Sequence, residues 1–234
     1  ILKYKKVVIK PSDSSGSRGV SLLSSALSEN ILLRSFEDAY ENSSEKQVLL
    51  EEFIDGPQLS SESLILDGKA ITYGYADRNY EYMDKYAPNI VENGGIQPSV
   101  ELMQKYDEVN DLIEACAESL GIVDGVIKGD IVFNNDKPVI IEVAARLSGG
   151  DFSETLIPES SGYDFIDSAI EISIGNKDIE VPYPSFTHYV ANRYFIPEKG
   201  KLVNIEIDEN IYKEKWLLKP DLVVFVAYPE LVEG

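Results

Sequence analysis

Gly125-Val126-Ile127-Lys128-Gly129-Asp130-Ile131-Val132-Phe133, then Asn134-Asn135-Asp136-Lys137-Pro138, then Val139-Ile140-Ile141-Glu142-Val143-Ala144-Ala145-Arg146, reads as two β-strands joined by a turn. With the turn over 134–138, Phe133 pairs with Val139 and the register sets Asp130 directly opposite Glu142. Any odd loop length keeps the two carboxylates on one face, and an even one separates them. Directly opposed side chains have Cβ atoms about 4.5–5.5 Å apart, where like charges repel unless a cation lies between them. Two carboxylates so placed suit Mg²⁺, which is held by one or two carboxylates together with phosphate and water oxygens. The plain alternative is a solvated strand face. Against it, Val126, Val132, Ile140 and Ala144 share the face and the opposite face is also apolar, so the carboxylates are expected inside a mostly buried sheet, where a charge needs partners.

Just beyond the second strand stands Ala145-Arg146-Leu147-Ser148-Gly149-Gly150-Asp151. An arginine there is placed to steady charge on a transferring phosphoryl group or to orient an anionic substrate, and the glycines let backbone approach closely. An isolated surface salt bridge is the alternative. Near the start of the chain, Lys6-Val7-Val8-Ile9-Lys10 and Val20-Ser21-Leu22-Leu23 read as strands around the loop Pro11-Ser12-Asp13-Ser14-Ser15-Gly16-Ser17-Arg18-Gly19. Such a tip brings backbone N–H groups near one ligand and suits phosphates, with Lys10 and Arg18 adding cations. An ordinary mobile turn has the same composition. The loop is neither a Walker loop, since no Gly-Lys-Ser/Thr follows, nor a Rossmann fingerprint, since a strand comes next.

Strand and helix signals alternate along the rest. Leu32, Phe36, Ala39 and Tyr40 recur at helical spacing, Gln47 to Ile54 reads as a strand ended by Asp55-Gly56, and Ser63–Leu66, Asp67-Gly68 and Ala70–Tyr75 form a hairpin. Helices are expected from Ser99 to Leu120 and from Tyr163 to Ile174, with strands at 187–196, 201–207 and 223–228. Cys116 falls in the stripe Val109, Leu112, Ile113, Cys116, Leu120 and reads as core. His188 is the sole histidine, on an apolar strand, and reads as structural, so Ser/His/Asp or zinc chemistry has no support.

The 234 residues hold 21 Lys and Arg against 41 Asp and Glu, a net charge of −20. That surface repels nucleic acid and anionic membrane, while a local cluster of cations can still bind a nucleotide in a cleft. With no 18-residue apolar run and one cysteine, the chain is expected in the cytoplasm.

Taken in order, these segments resemble the ATP-grasp enzymes over about residues 5–207. The resemblance implies an α+β fold of two lobes gripping the nucleotide: a small lobe, 1–56, with the Gly/Ser phosphate flap, and a large lobe, 57–234, with the metal site. Val8-Ile9-Lys10-Pro11 with Ser15, Gly16, Ser17, Arg18 and Gly19 resembles the flap, so Lys10 should meet the ATP phosphates. Leu50-Glu51-Glu52-Phe53-Ile54 resembles the adenine strand, with Glu51 accepting from the adenine amino group and the backbone of Glu52 and Ile54 reading the ring edge; Gln58 stands near the place of a ribose-binding acid. Lys128-Gly129-Asp130 and Glu142 to Arg146 resemble the metal strands and their trailing arginine, and His188 to Arg193 with Gly200-Lys201-Leu202 resembles a strand whose arginine faces the acyl phosphate. Arg146 and Arg193 are thus the expected catalytic residues and Asp130 and Glu142 the metal ligands.

Two departures from the family pattern stand out: Ala144 occupies a position where many members have asparagine, and Asp130 one where glutamate is commoner. A preceding α/β domain with a further phosphate lysine is usual in the family and is not in this chain, so an upstream domain or a second copy of the chain is an expected partner. The implied activity is an ATP- and Mg²⁺-dependent ligase joining a small carboxylate, such as an amino acid, to an amine through an acyl phosphate. A bicarbonate-using carboxylase or carbamoyl-phosphate-type enzyme, and a nucleotide-binding module without catalysis, are the alternatives.

Overall fold

Val7 and Ile9 alternate with more exposed neighbours along β1 (Lys6–Pro11), and the computed structural model, which describes residues 4–194, 196, 201, 204 and 206, buries both against a helix. β1 is the centre of a three-stranded antiparallel sheet, between β2 (Ser21–Ser24) and β3 (Val48–Glu52). α1 (Glu29–Glu41) starts at Ser28, whose side chain accepts from the Ile31 N–H, and packs Ala39 and Leu32 on Val7, Ile9 and Leu23. The helical spacing expected here is present, but Phe36 and Tyr40 face outward, 47% and 38% exposed, and stack on each other.

After β3 the chain passes through Phe53–Pro57 into a six-stranded sheet ordered β8-β7-β4-β5-β6-β9. β4 (Gln58–Leu66) and β5 (Lys69–Arg78) form the expected hairpin, turned by Asp67 and Gly68 with positive φ angles. β6 (Gly94–Gln97) follows. The helix expected from Ser99 begins only at Tyr106, as α2 (Tyr106–Leu120), after a short 3₁₀ turn at Met103–Lys105. Residues 99–101 wrap the Asp77 carboxylate instead, which accepts from the Ser99 hydroxyl and from the Val100 and Glu101 N–H groups. The buried stripe of α2 is Tyr106, Val109, Ile113 and Ala117; Cys116 is half-buried, which pushes its thiol up, and Leu120 is exposed.

β7 (Gly125–Asn134) and β8 (Lys137–Ala144) give the central hairpin a different turn from the one expected. The loop is two residues, Asn135 and Asp136, both at positive φ, and Phe133 faces Pro138. That even loop alone would put Asp130 and Glu142 on opposite faces. A bulge restores them: Ile131 pairs with Ile140 but Asp130 pairs with Glu142, leaving Ile141 as the extra residue of β8.

A π-helical turn at Phe152–Leu156 leads into α3 (Ile157–Ser161). α4 (Phe165–Ser173) starts two residues later than expected, because the Asp164 carboxylate caps the Asp167 N–H. Of the strands expected beyond residue 186 the structure describes only β9 (Val190–Arg193); Lys201, Asn204 and Glu206 are not in a strand, and the remainder of 201–207 and all of 223–228 lie outside the described residues. His188 precedes β9, exposed, its ring bonded to the Thr187 hydroxyl, rather than on an apolar strand.

The chain divides into two compact units, Ile1–Asn192 and Arg193–Gly234. Within the first, one face of the large sheet packs Leu59, Ile65, Ile127, Ile131 and Phe133 against α2, and the far half of the other face packs Leu64 and Tyr73 on α3 and α4. Within the second, the Asn204 amide bonds Glu206 at 3.0 Å. No helix of the described residues is long and apolar enough to cross a membrane.

Candidate active site

The half of that second face not covered by α3 and α4 carries charge. Alternation puts Ser60 and Glu62 of β4, Ala76 and Arg78 of β5, Lys128 and Asp130 of β7, and Glu142 and Ala144 of β8 on it, with Ser60 opposite Asp130, Glu62 opposite Lys128, and Lys128 opposite Ala144. Asp130 is the hub. Its Oδ1 lies 3.1 Å from Arg78 Nη1 and 3.4 Å from the Ser60 hydroxyl, and its Oδ2 bonds the Lys128 ammonium. Burial pushes the Asp130 carboxyl up, but Arg78 and Lys128 outweigh it and hold it below the usual carboxylate range. Arg78 also donates from Nε to Glu92 at 3.0 Å and lies 5.3 Å from the Tyr80 ring centroid.

Asp130 and Glu142 are brought together as expected, but only one is embedded. Asp130 is buried; Glu142 is exposed and has no ion pair or side-chain hydrogen bond with any described residue. Among the described residues no group of three or more His, Cys, Asp or Glu is placed to hold a metal ion, so a metal here has two carboxylates and must draw its other oxygens from phosphate and water. That donor set fits Mg²⁺.

Glu62 was not singled out by the sequence. It is fully buried and accepts from the Ser148 N–H and the Ser153 hydroxyl, each at 2.8 Å, which ties the loop after β8 to the sheet floor. Burial raises its pKa against those donors and Lys128. Gly74 makes room for it, since a Cβ there would lie 2.6 Å from Glu62 Cβ and 2.7 Å from the Phe152 ring. Arg146 is exposed on the tethered loop and donates to the Leu147 carbonyl. Arg193 closes β9 and belongs to the second unit. The signals that would have found the missed groups are a lone carboxylate within the buried run Leu59 to Ile65, and a strand that continues to Arg78 rather than stopping at Tyr75.

In the small sheet, Lys10 pairs with Glu51 at 2.8 Å. The flap tip Ser15 to Arg18 is exposed; Arg18 curls back to donate to the Ser15 carbonyl at 3.0 Å. Its base is anchored by Asp13, which accepts from the Ser43 hydroxyl at 2.6 Å and from the Ser44 and Glu45 N–H groups. On the adenine-type strand Glu52 is exposed, Phe53 and Ile54 are half-buried, and the Lys6 ammonium lies over the Phe53 ring. Gln58 opens β4, opposite Val132.

The ATP-grasp domain family matches residues 2–150, and the chain belongs to that family. It is 30% identical over 173 residues to an uncharacterized protein, y4rH, of Sinorhizobium fredii, covering 73% of this chain and 34% of the relative. It is 24% identical to the phosphoribosylamine–glycine ligase of Methanococcus vannielii, covering 95% and 52%. Among solved structures, an L-amino acid ligase from Bacillus licheniformis superposes with a TM-score of 0.68 at 20% identity, over 89% of this chain and 50% of that one. The chain therefore spans between a third and about half of the length of these proteins, and the solved structure shares the ATP-grasp fold.

Proposed function

We propose that the chain supplies the nucleotide- and Mg²⁺-binding part of a ligase that activates a carboxylate with ATP as an acyl phosphate and passes it to an amine. The observation that carries this reading is the Asp130–Glu142 pair, set opposite each other on a sheet face that also presents Lys128 and Arg78, in a chain of the ATP-grasp family.

The division of labour follows the two sheets. The lobe 1–56 closes on the phosphates with Lys10 and the loop Ser15 to Gly19, and offers Glu51, Glu52, Phe53 and Ile54 to the adenine, with Gln58 at the ribose. The six-stranded sheet is the floor. Asp130 and Glu142 would hold Mg²⁺, which when bound neutralises phosphate charge and makes the terminal phosphoryl group a better electrophile. Arg146, on a loop fixed by Glu62, orients the carboxylate and steadies the acyl phosphate, the role the resemblance also gives Arg193. Phosphoryl transfer needs little covalent chemistry from the protein, so fixed cations beside the phosphates are what this chain has to provide.

The test is phosphate release from ATP by the full-length protein, assayed across carboxylic acids with and without an amine. Release that needs both Mg²⁺ and a particular acid supports the ligase. Release dependent on bicarbonate alone favours the carboxylase, and tight ATP binding without any acid-dependent release favours a nucleotide-binding module.

A further inference from the structure

Asp130 has about four lone-pair positions on its two oxygens, and three are already taken, by Arg78, Ser60 and Lys128. Arg78 and Lys128 are themselves mostly enclosed, with side chains 16% and 13% exposed, so these contacts are built into the sheet rather than made by passing surface groups. Across the ladder from Lys128 stands Ala144, whose side chain offers no oxygen. On this part of the face Glu62 accepts from Ser148 and Ser153 and Glu92 from Arg78, so among the described residues Glu142 is the carboxylate without a side-chain partner, and one position remains on Asp130.

From this accounting we infer that the site takes a single divalent cation per bound nucleotide, held chiefly by Glu142, and that Lys128 and Arg78 are resident cations occupying the space and the carboxylate oxygens that a second metal ion would need. The inference rests on the nucleotide-binding reading above. A divalent ion prefers oxygen donors in number, and one unclaimed carboxylate with the edge of another supplies enough for one ion completed by phosphate and water, not for two. A second divalent ion near Asp130 would also lie beside an ammonium and a guanidinium, and like charges so close in a half-buried site repel strongly.

The experiment counts Mn²⁺ by the electron paramagnetic resonance signal of the free ion, with the full-length protein in excess over a non-hydrolysable ATP analogue so that all the nucleotide is bound. One Mn²⁺ per nucleotide is expected for the wild type and for Lys128→Arg, which keeps the charge. Two are expected for Lys128→Met, which frees Asp130 Oδ2. Two ions in the wild type, or one in a folded Lys128→Met protein, overturn the inference; if Lys128→Met does not fold, the wild-type count decides alone. Failure to bind the nucleotide analogue at all overturns the reading on which the inference rests, and is measured separately by calorimetry.

Discussion

Lys10 and Glu51 form a 2.8 Å ion pair between β1 and β3, joining the residue expected at the phosphates to the one expected at the adenine. Lys10 is the more enclosed partner, its side chain 16% exposed against 39%. In the proposed complex the ammonium turns from this carboxylate to a phosphate, exchanging one charge-assisted bond for another. Lys10→Ala should therefore weaken ATP binding by about 1.5–3 kcal/mol, the range for a hydrogen bond to a charged group. Calorimetry giving unchanged affinity would remove Lys10 from the site.

The two opposed carboxylates differ in what their loss should do. Glu142 is exposed and unpartnered among the described residues, so Glu142→Ala should change stability by no more than about 0.5 kcal/mol while abolishing Mg²⁺-dependent phosphate release. Asp130→Ala leaves Lys128 without its ion-pair partner and Arg78 with Glu92 alone in a half-closed site, and should cost about 3 kcal/mol of stability as well. Urea unfolding of both variants checks this, and equal losses would contradict the assigned environments.

Glu62 gives a pH signature. Its folded-state pKa is raised, chiefly by burial, so the folded protein binds its proton more tightly than the unfolded chain does. Stability is then lost as pH rises from the unfolded value near 4.5 through the folded one, and the loss is complete above it. Glu62→Gln cannot ionise and escapes this loss. Its melting temperature relative to wild type should be higher at pH 7 than at pH 4, and a difference that shrinks on raising the pH would show that the carboxylate is stabilised as an anion.

Gly56 lies between the two sheets at φ +146°, and a Cβ there would sit 2.0 Å from the Phe133 carbonyl oxygen. The neighbouring Asp55 carbonyl accepts from the Asn134 amide and the Pro57 carbonyl from the Phe133 N–H, so the backbone has no room to shift. Gly56→Ala should lower stability by about 2 kcal/mol or more, measured by denaturant midpoint. A neutral substitution would mean that the junction yields.

Much of this was legible from residue patterns, and the exceptions have physical causes. Alternating apolar residues and the Asp67-Gly68 turn mark the turn half of the β4–β5 hairpin, while the strands run on to Gln58 and Arg78, and the pairing of Asp130 with Glu142 holds although the loop length it is read from does not. Polar composition over 134–138 suggests a five-residue turn, but Asn135 and Asp136 tolerate positive φ and close a two-residue turn, and a bulge at Ile141, which no local signal marks, restores the register. Ser99 reads as a helix start, and its hydroxyl does accept from the Leu102 N–H at 2.8 Å, but it also donates to Asp77, 22 residues away, and only a 3₁₀ turn follows before α2. The strand patterns mark where Arg78 and Glu62 stand but not what they meet: Arg78 pairs with Asp130, 52 residues on, and Glu62 accepts from Ser148 and Ser153, in the loop and turn after β8.

The central claim is that this chain helps convert a carboxylate to an acyl phosphate, and trapping that intermediate tests it most directly. The full-length protein would be incubated with ATP, Mg²⁺, hydroxylamine and single carboxylic acids, amino acids included, and the hydroxamate measured. The account predicts a hydroxamate from one class of acid, formed in step with ADP and absent from Glu142→Ala. Hydroxamate formation at the wild-type rate in Glu142→Ala, or ATP binding with no hydroxamate from any acid, would contradict it.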